Sequence, residues 1–383
     1  MKRTTPCTDS GMPPRPFIAI ADDFSGAAEI AGTLHRHGLP VQVTNDLDAE
    51  LPDAGTALAI DADTRRLTAG EARDRHHALA RRLAAEPLHL YKKTDSVLRG
   101  HITAELKALL HELPHTQALF CPANPARGRT LANGRYSISG TPLHQTEFSR
   151  DPRCPIHSDH ATDLLPEFTT LPLDAPQRFP ATAGQLLIAD ASTEQHLQHW
   201  AAQLTADQLP AGASPFLAAY LQQLGHRPAL THSTPAFPSP TLLVSGSFSE
   251  NSRRTATRFK ANGWPVLQLA DDWTAPLPEA HPAALVKLSE HKLPKPHALP
   301  TQLAQWLQQH LASTHTAPAH LLVEGGDTAA AILDAFRWRT FRMLHEWEPG
   351  VVTLQPADSS APPITIKPGS YPWPPEILSC LQS

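Results

Sequence analysis

The run Tyr91-Lys92-Lys93-Thr94-Asp95-Ser96-Val97-Leu98-Arg99-Gly100-His101 gathers cations, a carboxylate and hydroxyls directly behind the apolar segment Leu88 to Tyr91. Side chains of these types at such close spacing suit the binding of an anion and the movement of a proton beside it. Two further sets have the same placement. Asp22 and Asp23, followed by Ser25 and Gly26, end the apolar segment Phe17 to Ile20. That carboxylate pair could hold Mg2+, accept a hydroxyl proton or cap the helix that follows. Asp61, Asp63, Thr64 and Arg65 end the segment Thr56 to Ile60, where Arg65 could grip a carboxylate bidentately or close a surface ion pair. Lys92, Lys93 and Arg99 on one edge would repel one another without an anionic ligand. The three sets therefore read as one anion site.

In the second half, Ser245, Gly246 and Ser247 follow one apolar run, Gly325, Gly326, Asp327 and Thr328 follow another and open a helix, and Lys367 and Gly369 follow a third. Small residues with exposed amides at a helix N-terminus suit phosphate, which backbone donors and the helix dipole both favour. Neither a Gly-x-x-x-x-Gly-Lys-Ser/Thr loop nor a Gly-x-Gly-x-x-Gly fingerprint occurs, so a nucleotide would be held by other means. Residues 122–136 carry Asn124, Arg127, Gly128, Arg129 and Gly134 without helical or strand periodicity, and 139–151 continue as a polar stretch, so both read as long functional loops. His111-Glu112-Leu113-Pro114-His115 spells HExxH, but Pro114 would break the helix that must present both histidines.

The elements that must position these groups follow from hydrophobic pattern. Phe17 to Ile20, Val41 to Thr44, Thr56 to Ile60, Leu88 to Tyr91, Ala118 to Cys121 and Leu186 to Ala189 read as buried strands, with helices over 26–34, 71–85 and 102–113 between them. Leu242 to Val244, Val266 to Leu269, Leu321 to Val323, Val351 to Leu354 and Ile364 to Ile366 repeat the pattern, with helices near 251–261, 301–311 and 328–336. Such alternation predicts an α/β fold of two α/β domains with mainly parallel sheets and an active-site cleft between them. The boundaries read as a flexible start at 1–16, a first domain at 17–227, a proline-rich linker at 228–240 and a second domain at 241–383.

Composition narrows the function classes. The 383 residues carry a net charge of −5, which lacks the basic excess that nucleic-acid binding needs. The four cysteines, Cys7, Cys121, Cys154 and Cys380, form no CxxC pair and fit a reducing cytosol. Without a signal-peptide core or a membrane-length apolar run, the chain reads as cytoplasmic, with no membrane partner. Self-association is left open.

The chain resembles the four-carbon acid sugar kinases, which phosphorylate acids such as threonate, erythronate or their oxo relatives. The resemblance rests on Ala21-Asp22-Asp23-Phe24-Ser25-Gly26-Ala27, Asp63-Thr64-Arg65, Lys92 to Gly100, and the loop from Gly128-Arg129-Thr130 to Asp151-Pro152. In the second half it rests on Ser245-Gly246-Ser247 with Ser249, Glu324 to Thr328, and Lys367-Pro368-Gly369. Ser25, Val97, Pro368 and Pro372 depart from the family pattern, the last two at a nucleotide turn. The resemblance implies an N-terminal acid-sugar domain, a C-terminal ATP domain and transfer of the γ-phosphoryl group to a terminal hydroxyl. It implies substrate contacts from Asp22, Asp23, Arg65, Lys93, Thr94, Asp95 and Ser96, and ATP contacts from Ser245, Ser247, Gly325, Gly326, Asp327, Thr328 and Gly369. On that reading Arg65 or Lys93 takes the substrate carboxylate, Asp22 or Asp95 the hydroxyl proton, and Arg99 or Lys93 the transition-state charge, with Mg2+ on the ATP phosphates. The competing readings are a two-lobed acid-sugar-binding protein without catalysis, and a diverged member with weakened ATP binding.

Overall fold

The computed structural model describes residues 15–150, 155–174, 182–228, 238–270, 273–279, 282–289, 298–313, 317–358, 360–369 and 371–381. Most of the expected flexible start and linker, with Cys7, Asp151, Pro152 and Cys154, lies outside these residues. The N-terminal half runs β1 (Phe17–Ala21), α1 (Phe24–Arg36), β2 (Val41–Thr44), β3 (Ala57–Asp61), α2 (Ala69–Leu83), β4 (His89–Lys93), α3 (Ile102–Glu112) and β5 (Gln117–Cys121). It continues with β6 (Arg129–Ala132), β7 (Arg135–Ile138), β8 (Thr141–Pro142), α4 (Ala161–Leu164), β9 (Phe168–Leu171), β10 (Gln185–Ala189), α5 (Glu194–Gln203), β11 (Gln208–Gly212) and α6 (Ser214–Gln223). The C-terminal half runs β12 (Thr241–Ser245), α7 (Glu250–Ala261), β13 (Val266–Leu269), β14 (Ala283–Leu288), α8 (Leu299–Ser313), β15 (His320–Glu324) and α9 (Gly326–Ala335). It ends with β16 (Thr340–Glu348), β17 (Val351–Pro356), β18 (Ile364–Lys367) and α10 (Pro375–Cys380).

Every residue of β1, β3 and β5 is buried because helices cover both faces of the sheet, which is why these strands read as unbroken apolar runs. Alternate residues feed two cores: Ala19 and Tyr91 pack with α1 and α6, Ile18, Ile20 and Leu90 with α2 and α3. The two halves share one 15-stranded sheet, ordered β13-β14-β12-β15-β18-β17-β16-β2-β3-β1-β4-β11-β5-β10-β9. The junction is antiparallel, with Thr340, Phe341 and Arg342 of β16 opposite Thr44, Val43 and Gln42 of β2. Phe341 also meets Phe24 of α1 edge-on at 5.5 Å, and Glu346 of β16 pairs with Arg36 of α1 at 2.8 Å.

Because the three successive pairings β18–β17, β17–β16 and β16–β2 are all antiparallel, the parallel strands of the two halves run opposite ways along the sheet. Six strand-to-strand steps separate β15 from β1 in that order. At roughly 20–25° of twist per step, the sheet turns by about 120–150° between them. The twist thus swings the carboxyl ends of both sets toward one cleft.

The structure corrects the reading of residues 122–151 as aperiodic loops. Among them β6 and β7 form a hairpin, extended by β8, and Leu131, Tyr136 and Leu143 are fully buried. Strand β4 also runs further than its apolar segment, so Lys92 and Lys93 lie within it and point to opposite faces.

Lys92 is wholly buried and pairs with Glu105 of α3 at 2.8 Å, while Thr64 donates to the same carboxylate at 2.6 Å. Burial opposes the charge on Glu105, but Lys92 and His76 outweigh it and hold its pKa down at about 2. A depressed folded pKa means that this stability is present above the ordinary carboxylate range and is lost as pH falls toward 2. Lys92→Met leaves the carboxylate buried without its cation and is expected to cost roughly 3–5 kcal/mol in urea unfolding at pH 7. Lys92→Met/Glu105→Gln should recover most of that loss; equal destabilisation of both variants would contradict the pair's role.

Candidate functional site

A cavity of about 540 Å³ lies between the halves, walled by the carboxyl ends of β1, β3 and β4 on one side and by the turns after β12, β15 and β18 on the other. From the N-terminal half, Asp23, Arg65, Lys93, Asp95, Ser96 and Arg99 line it. From the C-terminal half, Ser247, Gly325, Gly326, Asp327, Thr328 and Gly369 do. Most of the anticipated residues therefore meet in one place. Asp22, Thr94 and Ser245 do not line it. Asp22 sits behind Arg65, the Thr94 hydroxyl is buried without a hydrogen bond among the described residues, and the Ser245 hydroxyl faces Ser252 at 2.9 Å.

The expected mutual repulsion of the cations is overturned, because carboxylates from distant segments neutralise them. Asp22 takes the Arg65 fork at 2.8 and 3.0 Å, Asp23 accepts from the third guanidinium nitrogen, and Asp95 lies 3.6 Å away. Asp95 in turn takes the Arg99 fork at 2.9 and 3.0 Å. Lys93 lies 3.3 Å from Glu29 of α1, whose other carboxylate oxygen accepts from the Ser214 hydroxyl. Neither Arg65 nor Arg99 has its fork free.

This network sets the protonation states. Burial works against the charge on Asp95, but Arg65 and Arg99 overcome it and hold the carboxyl far below its usual range. Burial likewise opposes the Lys93 charge, yet Glu29, Asp22, Asp23 and Asp95 together raise its pKa, so it stays an ammonium ion. Asp23 moves the other way. Burial, aided by neighbouring Asp22, raises its pKa against the pull of Arg65 and Lys93. Asp23 is also the N-cap of α1, accepting from the Gly26 N–H at 2.7 Å, so the capping reading and the site reading both hold.

On the opposite wall Gly325 caps α9 with φ of +105°, a conformation that residues with a side chain rarely adopt, and among the described residues no side chain caps the first-turn N–H groups. A Cβ on Gly326 would fall 2.5 Å from the Ser25 hydroxyl of α1, so the first turns of α1 and α9 nearly touch. The Gly369 carbonyl accepts from Ser247 at 3.2 Å and Ser249 at 2.9 Å. Beneath it, wholly buried Lys367 donates to the Pro368 carbonyl at 3.0 Å and pairs with Glu324 at 3.1 Å, which braces the turn despite its proline. Two helix N-termini and a fixed ammonium thus converge on one cavity, an arrangement that favours a multiply charged anion such as phosphate.

Glu29, Arg129, Phe148 and Tyr371 also line the cavity; Arg129 and Phe148 belong to the stretches read as functional loops but were given no role, and Glu29 and Tyr371 were not anticipated. Glu29 had a findable signal, since it lies one helical turn after Ser25 on the same face of α1. The HExxH string lacks the geometry its motif needs: α3 ends at Glu112, before His115, so the two histidines do not share a helix. Glu112 instead gathers His77 at 2.9 Å, Arg81 at 3.0 Å and His111 at 3.3 Å on one oxygen, where the guanidinium takes the place that a cation would need.

A family model described as a sugar-binding N-terminal domain matches residues 17–220. The chain is 29% identical to a D-threonate kinase of Salmonella typhimurium over 62% of this chain and 59% of that protein, less than two thirds of the relative's length. It is 29% identical to a D-threonate kinase of Bordetella bronchiseptica over 93% of this chain and 94% of the relative. It is also 26% identical to a 3-oxo-tetronate kinase of Cupriavidus necator over 94% and 95% of the two chains. Among solved structures, one from Salmonella typhimurium LT2 superposes with a TM-score of 0.77 at 19% identity, covering 95% of this chain and 98% of the other, which supports the same fold. Among the described residues no helix is long and apolar enough to cross a membrane.

Proposed function

Since the chain belongs to the four-carbon acid sugar kinase family, whose sugar-binding N-terminal domain spans residues 17–220, we propose that it transfers the γ-phosphoryl group of ATP to a hydroxyl of a four-carbon acid sugar. The observation that carries this reading is the convergence of the α1 and α9 N-termini with Lys93 on one cavity between the halves. The acid sugar binds on the side of residues 17–227 and ATP on the side of residues 241–383, with its phosphates on the amides of the Gly246 and Gly325-Gly326 turns. Phosphoryl transfer needs alignment and charge neutralisation more than covalent chemistry. Lys93 supplies a cation for the migrating group. Asp95, fully ionised, orients Arg65 and Arg99. Asp23, whose proton affinity is raised, takes the proton of the attacking hydroxyl, which is a terminal one. Asp327, exposed on the first turn of α9 with no bond among the described residues, has the donor chemistry for a hydrated Mg2+, which would neutralise phosphate charge.

A coupled ADP-release screen over threonate, erythronate and 3-oxo-tetronate stereoisomers tests the reading. Acceptor-dependent ADP release from at least one acid is expected; tight binding of an acid with no ATP consumption would instead favour a binding protein. A second expected result concerns the cradle. Gly326→Ala drives its methyl onto the Ser25 hydroxyl and should raise KM for ATP by about 10–100-fold while leaving acid-sugar binding intact. Ser25→Ala/Gly326→Ala removes that oxygen and should regain a good part of the loss. If the double variant is no better than the single, steric closure is the wrong account.

A further inference from the structure

Of the cations that line the cavity, Arg65, Lys93 and Arg99 are each held by carboxylates, and Arg66 pairs with Asp63 at 3.3 Å. Arg129 differs. Among the described residues its guanidinium has no ion pair, only the Ser96 hydroxyl, which accepts from one nitrogen. It shares the Phe148 ring with Arg99, the two guanidinium carbons lying 5.9 and 5.4 Å from the ring centroid. Among the described residues Arg129 therefore brings to this corner a positive charge held in no ion pair, against the apolar Phe148 ring, where an incoming anion gains most.

The corner is also built. Arg129 opens β6, whose partner strand β7 presents the buried Tyr136, and the Tyr136 hydroxyl donates to the Ser96 carbonyl. Asp95 holds the same turn from within by accepting from the Val97 and Arg99 N–H groups at 3.2 and 3.3 Å. Ser96 accepts from Arg129, so its own hydroxyl proton is left to donate. A planar fork beside a hydroxyl donor matches a carboxylate.

We propose that Arg129, with Ser96 beside it, reads the carboxylate of the acceptor and makes this site select acid sugars over neutral ones. The proposal rests on the kinase reading above and moves the carboxylate contact from Arg65 and Lys93 to a residue whose charge is available. It also gives the hairpin a purpose, since that excursion supplies the specificity group while the sheet ends supply the transfer machinery.

The test titrates D-threonate without nucleotide into the full chain, its Arg129→Met and Arg129→Lys variants, and measures steady-state constants for both substrates. Arg129→Met should weaken threonate binding and raise its KM by about 10–100-fold, with kcat changed less than about threefold and KM for ATP unmoved. Arg129→Lys keeps the charge without the fork and should recover part of the affinity; it decides the matter should the methionine variant fail to fold. Unchanged threonate affinity in the variants with phosphorylation intact overturns the proposal and leaves the kinase reading standing. Threonate binding that depends on Arg129 in a wild-type chain that transfers no phosphate sinks the kinase reading and keeps the carboxylate reader. A wild-type chain that binds neither threonate nor the other four-carbon acids overturns both.

Discussion

Lys93→Met is expected to lower kcat by about 10³-fold, with acid-sugar and ATP affinities changed far less. The ammonium is 5% exposed on its side chain, lies 3.3 Å from Glu29 and donates to the Thr94 carbonyl at 2.9 Å, so its position is fixed before any ligand arrives. A charge already in place costs no reorganisation when the phosphoryl group carries negative charge across the cleft. Removing one such donor from a water-poor site typically costs 10²–10³ in kcat, and a cation on a migrating phosphoryl group is worth about 10³–10⁵. The variant also leaves Glu29 buried without its cation, so lost activity could reflect a distorted α1. Lys93→Met/Glu29→Gln separates the two. It should restore thermal stability but not turnover, whereas recovery of turnover would show that Lys93 serves the fold alone.

The same pairs explain how far the sequence could be read. Strands β1, β3, β5 and β15 were legible because two covered faces make them uniformly apolar. Strand β11 was not, since Pro210 and Gly212 interrupt a five-residue run that nonetheless sits between β4 and β5. Strand β16 hid for the opposite reason. Its Arg342, His345 and Glu346 look like a solvated stretch, yet this strand joins the halves and buries Glu346 against α1. In the site, charge at the strand ends showed plainly, but pairing did not. Glu29 and Glu105 lie on helices, where a lone glutamate reads as surface, and only the fold brings them under Lys93 and Lys92. Hence the expectation of repelling cations failed at Lys92, Lys93 and Arg99, each paired with a carboxylate, whereas Arg129 has no ion pair among the described residues.

Asp23→Asn should lower kcat by about 10²–10⁴-fold and abolish the acid limb of the pH–rate profile. Of the three carboxylates nearest Arg65, Asp95 lines the cavity but is ionised at every working pH, and Asp22 does not line it. Asp23 alone both faces the cavity and has its proton affinity raised by burial. With a raised pKa, the carboxylate is the active form and is lost on acidification at a higher pH than an ordinary aspartate. Wild-type activity should therefore rise with pH through a limb above the usual carboxylate range, and the asparagine variant should be flat there. The substitution costs one contact: asparagine caps helices as well as aspartate does, so the bond from the Gly26 N–H survives, but its amide nitrogen cannot accept from Arg65, which is left with its two contacts to Asp22. A fall in kcat with an unchanged melting temperature would thus report chemistry rather than folding. If Asp23→Asn keeps both its turnover and its acid limb while Asp95→Asn loses them, the proton goes to Asp95, and the ion pairs around that residue must loosen when substrate binds.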